Sequence, residues 1–219
     1  MDPRTSSGIY GTARTAVWPW ADPRVEAVSD TNEIDLDWLL EGENTLYVCA
    51  PLADGVRRSP VLGGLIGDLV NQAFERASRS RSALDPTLLI VLDEAANTPQ
   101  RQLPEWASTL AGIGVQLVTI WQSKSEIDAI YGRQADTILT NHVTKVFFAG
   151  MSEASGLDYV TRLLGQEHVP AMLQPTGGLD APPTQVPLAP ANVLRQIKPG
   201  HALLVHGSLP PAHVRALRR

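Results

Sequence analysis

Leu88-Leu89-Ile90-Val91-Leu92-Asp93-Glu94 is the stretch on which the fold assignment turns. Five consecutive apolar residues are too short a run for a typical helix. They predict a strand buried on both faces, the pattern of a parallel sheet covered on each side. Two acids follow at once. In an open parallel sheet, ligands bind beyond the carboxyl ends of the strands. Asp93 and Glu94 therefore fall where such a ligand would sit.

Neighbouring segments extend this pattern. Val115–Trp121 and Val143–Ala149 read as further strands of the same kind, and Thr45–Ala50 as an earlier one stopped by Pro51. Helical stretches fit between and around them, at Trp106–Ala111, Ser125–Tyr131, Asp136–Asn141 and Ser155–Leu164. Ser59-Pro60 reads as a helix start, with Val61, Leu62, Leu65, Ile66, Leu69, Val70, Ala73 and Phe74 forming one apolar face. Gly63, Gly64 and Gly67 weaken that helix and suggest close approach to the sheet. Alternating strands and helices predict an α/β fold with a mostly parallel sheet.

The flanks differ in character. Residues 1–40 form a helical lead-in, with weakly apolar Ser7–Val17, a break at Trp18-Pro19-Trp20 and a short helical turn at Asp35–Leu40. Pro170–Pro190, rich in Pro and Gly, reads as a surface connection. It opens a region, 170–200, that ends in a short helix over Ala191–Ile197. Residues 201–219 hold a last strand, Ala202–His206, and a basic tail with Arg215, Arg218 and Arg219.

Composition excludes several classes. The 219 residues are 43% hydrophobic and 19% charged, which excludes a disordered chain. Lys and Arg number 18 against 23 Asp and Glu, so bulk electrostatic coating of nucleic acid is disfavoured, although a local basic groove is compatible. The single Cys49 excludes a disulfide framework and a thiolate cluster. The longest uncharged run, Trp106–Ser123, contains Ser, Thr, Gln and Gly and does not read as a membrane span, so a soluble chain is expected.

An apolar strand ending in Asp-Glu is the Walker B arrangement. In that role Asp93 would hold Mg²⁺ through water, and Glu94 would polarise the water attacking a γ-phosphate. A second reading stands beside it, in which the acids only solvate a turn. Gln122, at the tip of the next strand, is placed to touch a γ-phosphate, although a Gln there can also be a loop residue. The three lysines, Lys124, Lys145 and Lys198, all lack a preceding glycine, so these residues contain no phosphate loop of the Gly-Lys-Ser/Thr type. His201 and His206 stand five apart on one strand and point to opposite faces, which excludes a shared metal. His142 and His168 have no ligand cluster near them in sequence.

Leu88–Pro99 (LLIVLDEAANTP), Glu105–Ser123 (EWASTLAGIGVQLVTIWQS), Tyr131-Gly132 and Ile138–Gly150 (ILTNHVTKVFFAG) resemble the TraG/TraD-type conjugative coupling proteins, the DNA-transfer ATPases of type IV secretion. Ser7–Val25, Asn44–Pro51 and Ala202–Pro211 fit the same family, so the resemblance covers nearly the whole chain. It implies a RecA-like domain of P-loop NTPase type, here incomplete at its N-terminal half, with residues 41–169 as its C-terminal half. It further implies ATP and Mg²⁺ as cofactors. Asp93 is then the magnesium acid, and Glu94 and Gln122 are the catalytic pair. The implied partners are single-stranded DNA, relaxase and relaxosome proteins, the type IV secretion channel and five further copies in a hexamer, at the inner face of the bacterial membrane. Ala111-Gly112-Ile113-Gly114 stands where some relatives carry an arginine; Arg133 and Arg162 are the possible substitutes.

Without a phosphate loop, the 219 residues are expected not to hydrolyse ATP alone, because triphosphate and carboxylate charges repel with little to offset them. Two rival readings are a non-catalytic module that docks relaxosome or secretion components, and a truncated product with an unpaired strand and exposed apolar surface.

Overall fold

The computed structural model describes residues 3–28, 31, 33–49, 52–169 and 184–217. The chain divides into two compact units, Met1–Trp121 and Gln122–Arg219.

In the first unit, helices α1 (Pro3–Val17), α2 (Pro23–Val28) and α3 (Leu36–Leu40) lead to a long helix, α4 (Leu52–Ser80). Asp35 caps α3 by accepting from the Trp38 N–H at 2.8 Å. Helix α3 packs against α4, where the Leu36 N–H donates to Gln72 Oε1 at 3.0 Å and Arg76 pairs with Asp37. Leu69, Val70, Ala73 and Ala77 are buried at helical spacing along α4. The helix starts earlier than Ser59, and Pro60 lies inside it. A proline inside a helix has no N–H for the i−4 bond and crowds the preceding turn, so its local preference favours a helix start that the structure does not have. The close approach at Gly63 is to the buried Gln100 amide, where a Cβ would lie 3.3 Å from Nε2. Gly64 and Gly67 have no such neighbour.

Strand β1 (Leu88–Leu92) is followed by α5 (Leu103–Thr109), a 3-10 turn over Leu110–Ile113, and β2 (Val115–Thr119). The two strands pair in parallel, Leu88 opposite Val115 through Leu92 opposite Thr119. This is the parallel part of the sheet that the apolar runs predict. One face, with Leu92 and Val115 buried, looks into a core that also includes Leu103, Trp106 and Leu110. The opposite face is open, contrary to expectation: Leu89 is 56% exposed, Val91 52% and Val118 42%. An apolar run specifies a strand, but burial of its second face depends on what packs there, and nothing among the described residues does. Residues 45–49 also depart from expectation. They form no strand, and Tyr47 and Cys49 are exposed. An extended run needs a partner for its backbone groups, and no described strand pairs with this one.

The second unit runs through α6 (Lys124–Tyr131), α7 (Ala135–Asn141), β3 (Thr144–Phe148), α8 (Ala154–Leu164), β4 (Gln166–Val169), β5 (Thr184–Pro187), α9 (Ala191–Leu194), β6 (His201–His206) and β7 (Ala212–Arg215). Its strands pair antiparallel, as β3-β6-β7 and as β4-β5. The apolar pattern of β3 and β6 does not encode direction, which the connections decide. Leu157 and Val160 of α8 and Leu194 of α9 form a core against Phe147 and Leu203, and Phe147 meets Tyr159 edge-on at 6.3 Å. The expected Pro/Gly-rich connection lies outside the described residues over 170–183; β5 pairs with β4 on its far side. Strand β7 was not foreseen, because Pro210-Pro211 reads as an end. Proline supplies no N–H, and pairing resumes right after it.

Candidate functional site

The acids close β1. Asp93 and Glu94 are exposed and open a turn that runs to Asn97. Three backbone bonds set this turn: the Ile120 N–H donates to the Leu92 carbonyl at 2.9 Å, the Ala95 N–H to Ile120 O at 3.0 Å, and the Asn97 N–H to Glu94 O at 2.8 Å. Ala95 is buried and pins the turn to the end of β2. Asp93 Oδ1 accepts the Glu94 N–H at 3.0 Å, and Glu94 Oε2 accepts from Asn97 Nδ2 at 2.6 Å.

Glu94 has φ 47, in the left-handed region. A non-glycine residue there costs about 1–3 kcal/mol. Glu94 thus stands in the turn that follows the carboxyl end of a parallel strand, its carboxylate held by Asn97.

Asp93 offers hard oxygen donors of the kind magnesium takes. No three His, Cys, Asp or Glu side chains gather into a metal cluster among the described residues. Magnesium is commonly held by one or two carboxylates together with water and substrate phosphates. Shallow surface hollows along Phe74–Arg79 of α4 and Gly8–Ala13 of α1 do not include the acids.

Gln122 opens the second unit and is exposed. Its N–H donates to Glu126 Oε2 at 3.0 Å. Ser123 caps α6, accepting the Glu126 N–H at 3.3 Å, while Glu126 reaches back past the cap to the Gln122 N–H. Lys124 is engaged by Asp128 at 2.7 Å. Glu153, from the segment before α8, completes the clamp: its carboxylate accepts the N–H groups of Lys124 at 3.1 Å and Ser125 at 3.0 Å, and the hydroxyls of Ser125 and Ser155. Partial burial pushes the Glu153 pKa up, but the hydrogen bonds from Ser125, Ser155 and Lys124 outweigh it and hold the group below the ordinary carboxylate value.

This clamp predicts a pH signature. Because the folded value is depressed, the stabilisation is present above the ordinary carboxylate pKa and is lost as pH falls through the folded value. Glu153→Ala is expected to cost about 1 kcal/mol at neutral pH, the size of a lost cap trimmed by solvent screening. The difference from the unsubstituted chain should vanish in acid, as read by urea unfolding across pH. A pH-independent difference would contradict the carboxylate's role.

Asn97, Glu126 and Glu153 were not singled out from sequence. The capping spacing could have found Glu126; Glu153 lies 29 residues from its partner Lys124 and carries no local signal. Arg133 stands exposed in the 3-10 turn Gly132–Gln134, and Arg162 Nε donates to Asp158 O at 3.3 Å on an exposed face of α8. His142 is half-buried with Nδ1 on Ile138 O at 2.8 Å, and Lys145 Nζ donates to His142 O at 2.6 Å. Burial lowers both their pKa values, with the Lys145 charge adding to the drop at His142 against the bond to Ile138 O.

Residues 87–185 match the family described as the TraM recognition site of TraD and TraG. Among solved structures, the chain is similar to the bacterial conjugative coupling protein TrwBdeltaN70 in its unbound monoclinic form, at 15% identity and TM-score 0.81, covering 100% of this chain and 51% of that one. It is also similar to plasmid coupling protein TrwB in complex with the non-hydrolysable GTP analogue GDPNP, at 16% identity and TM-score 0.80, with the same coverage of 100% and 51%. TrwB in complex with ADP and Mg²⁺ matches at 16% identity and TM-score 0.70, covering 87% of this chain and 44% of that one. At these identities the likeness shows the fold, and the chain spans about half the length of these relatives. No curated protein matches it.

Proposed function

We propose that this chain, whose residues 87–185 match the TraM recognition site of TraD and TraG and whose fold is similar to about half of TrwB, supplies one wall of the ATP site of a TraG/TraD-type conjugative DNA-transfer motor. Asp93 would hold Mg²⁺ through water, Glu94 would act as general base, and Gln122 would sense the γ-phosphate. The observation that carries this is the pair of exposed acids, Asp93 and Glu94, directly after the carboxyl end of parallel β1. TrwB in complex with nucleotides and with Mg²⁺ supports ATP and Mg²⁺ as the family's ligands. The motor would drive single-stranded DNA and its relaxase toward a type IV secretion channel as part of a hexamer. No helix among the described residues is long and apolar enough to cross a membrane. The open face of β1 and β2 fits a chain that spans about half of its solved relatives. Steady-state ATP hydrolysis tests the reading: the 219 residues alone are expected at background, and turnover by them that is lost on Glu94→Gln would overturn the division of the site.

A second reading is favoured by the description of the matched family. Residues 87–185 would recognise a TraM-type relaxosome protein. Capture of such a protein by the chain is expected to survive Asp93→Asn, since docking needs no metal. Loss of capture on that substitution would tie recognition to the acid turn instead.

A further inference from the structure

All 23 acidic residues of the chain lie within residues 1–180. Residues 181–219 contain none, yet they carry five Lys or Arg and three of the five histidines. The overall charge of −5 hides this polarity. Charge asymmetry within one chain is a mark of a local polyanion contact.

The fold gathers part of this charge at one end of the β6–β7 hairpin. In the antiparallel register His201 faces Arg215 and Leu203 faces His213. His201, His213 and Arg215 therefore share one face of the sheet. The two imidazole rings lie 4.9 Å apart between centroids, tilted by 31°. Lys198 stands in the turn entering β6, where the His201 N–H donates to its carbonyl at 3.0 Å, and the Ala216 N–H closes the end of the hairpin onto Gly200 O at 2.8 Å. Lys198, His213 and Arg215 are exposed. Among the described residues neither Lys198 nor Arg215 takes part in an ion pair.

From this juxtaposition we infer that the Lys198–His201–His213–Arg215 end of the β6–β7 hairpin is a contact surface for single-stranded DNA. Lys198 and Arg215 neutralise phosphates, and the exposed imidazole face of His213 stacks on an unpaired base. Phosphate neutralisation requires cations without competing carboxylates, and this segment has that composition. The exposed His213 ring, backed by the tilted His201 ring, offers a face on which an unstacked base can lie and which an acidic peptide does not need. The choice of DNA over another polyanion rests on the coupling-protein reading.

The test is fluorescence anisotropy of a fluorescein-labelled 20-nucleotide oligothymidylate titrated with the full 219-residue chain from 50 to 200 mM salt. Binding should weaken with salt. Lys198→Gln with Arg215→Gln is expected to weaken binding at 50 mM salt five- to tenfold and to flatten the log–log salt slope by about 1.4, the value for two single-strand phosphate contacts. Arg215→Lys should keep the slope. His213→Ala is expected to cost fivefold or more with the slope unchanged, because stacking releases no counterion. Arg101→Gln, an exposed arginine of the other unit, should change affinity less than twofold. If the hairpin variants bind like the unsubstituted chain, or Arg101→Gln costs as much, the surface is refuted while DNA binding elsewhere on the chain stands. If the unsubstituted chain fails to bind at 50 mM salt, the surface and DNA as a partner of this chain fall together, with the ATP-site reading still judged by hydrolysis. If a 20-residue polyglutamate competes equally and loses the same fivefold with His213→Ala, the surface takes an acidic protein and the inference fails.

Discussion

Glu94→Gln, in an assembly where this chain supplies the acid pair, is expected to slow ATP turnover by about 10²–10⁴-fold, the usual worth of a general base. Nucleotide affinity should stay within about twofold, because binding rests on phosphate and metal contacts that the amide does not remove. Stability should not change either. A glutamine side-chain oxygen can still accept from Asn97 Nδ2, which lies 2.6 Å from the Glu94 carboxylate, and the backbone remains at φ 47. Glu94→Gly separates chemistry from strain. It should lose the same turnover while unfolding at higher urea, since glycine carries no penalty at positive φ and relief of about 1 kcal/mol exceeds the loss of one exposed hydrogen bond. Turnover that survives Glu94→Gln would reduce the acid pair to solvation of a turn.

Gly114→Ala is expected to destabilise the first unit by about 2–5 kcal/mol, summing left-handed strain and overpacking. Gly114 has φ 80, and a Cβ there would lie 2.6 Å from the Leu84 nitrogen and 2.8 Å from its carbonyl oxygen. Both are backbone atoms in a tight crossing, where the Leu84 N–H donates to Ile113 O at 2.9 Å and the Leu88 N–H to Gly114 O at 3.1 Å. Neither segment can yield without breaking one of these bonds. The crossing sets where β2 begins, hence where Ile120 ends up, and Ile120 O holds the Ala95 N–H behind the acids. Damage at Gly114 should therefore reach Asp93 and Glu94 through β2. Gly112→Ala is the control: a Cβ there meets nothing within 4 Å, and urea midpoints should separate the two variants clearly. Equal midpoints would mean that Leu84 moves aside at little cost.

Much of the acid turn was legible because its signals are local. The apolar run Leu88–Leu92 specifies β1, and the acids sit at its end by simple adjacency. Val115–Thr119 repeats the pattern and pairs in parallel. The helix expected over Ser125–Tyr131 appears as α6, one residue longer at its start. Such features depend on neighbours a few residues away, and side-chain period and cap chemistry are written at that range.

What the sequence by itself determined is therefore the α/β class, the parallel strand pair and the placing of Asp93 and Glu94 at the end of β1, whereas β2 stops at Thr119 and leaves Gln122 three residues beyond it. Tertiary structure alone decided the left-handed backbone of Glu94, the tie from Ala95 to Ile120, the Glu153 clamp on α6, the antiparallel order β3-β6-β7 and the meeting of His201 with His213. It also left Leu89, Val91 and Val118 open, and residues 45–49 outside any sheet. Each of these depends on a partner distant in the chain, and a short-range pattern fixes which groups seek a partner without fixing which partner arrives.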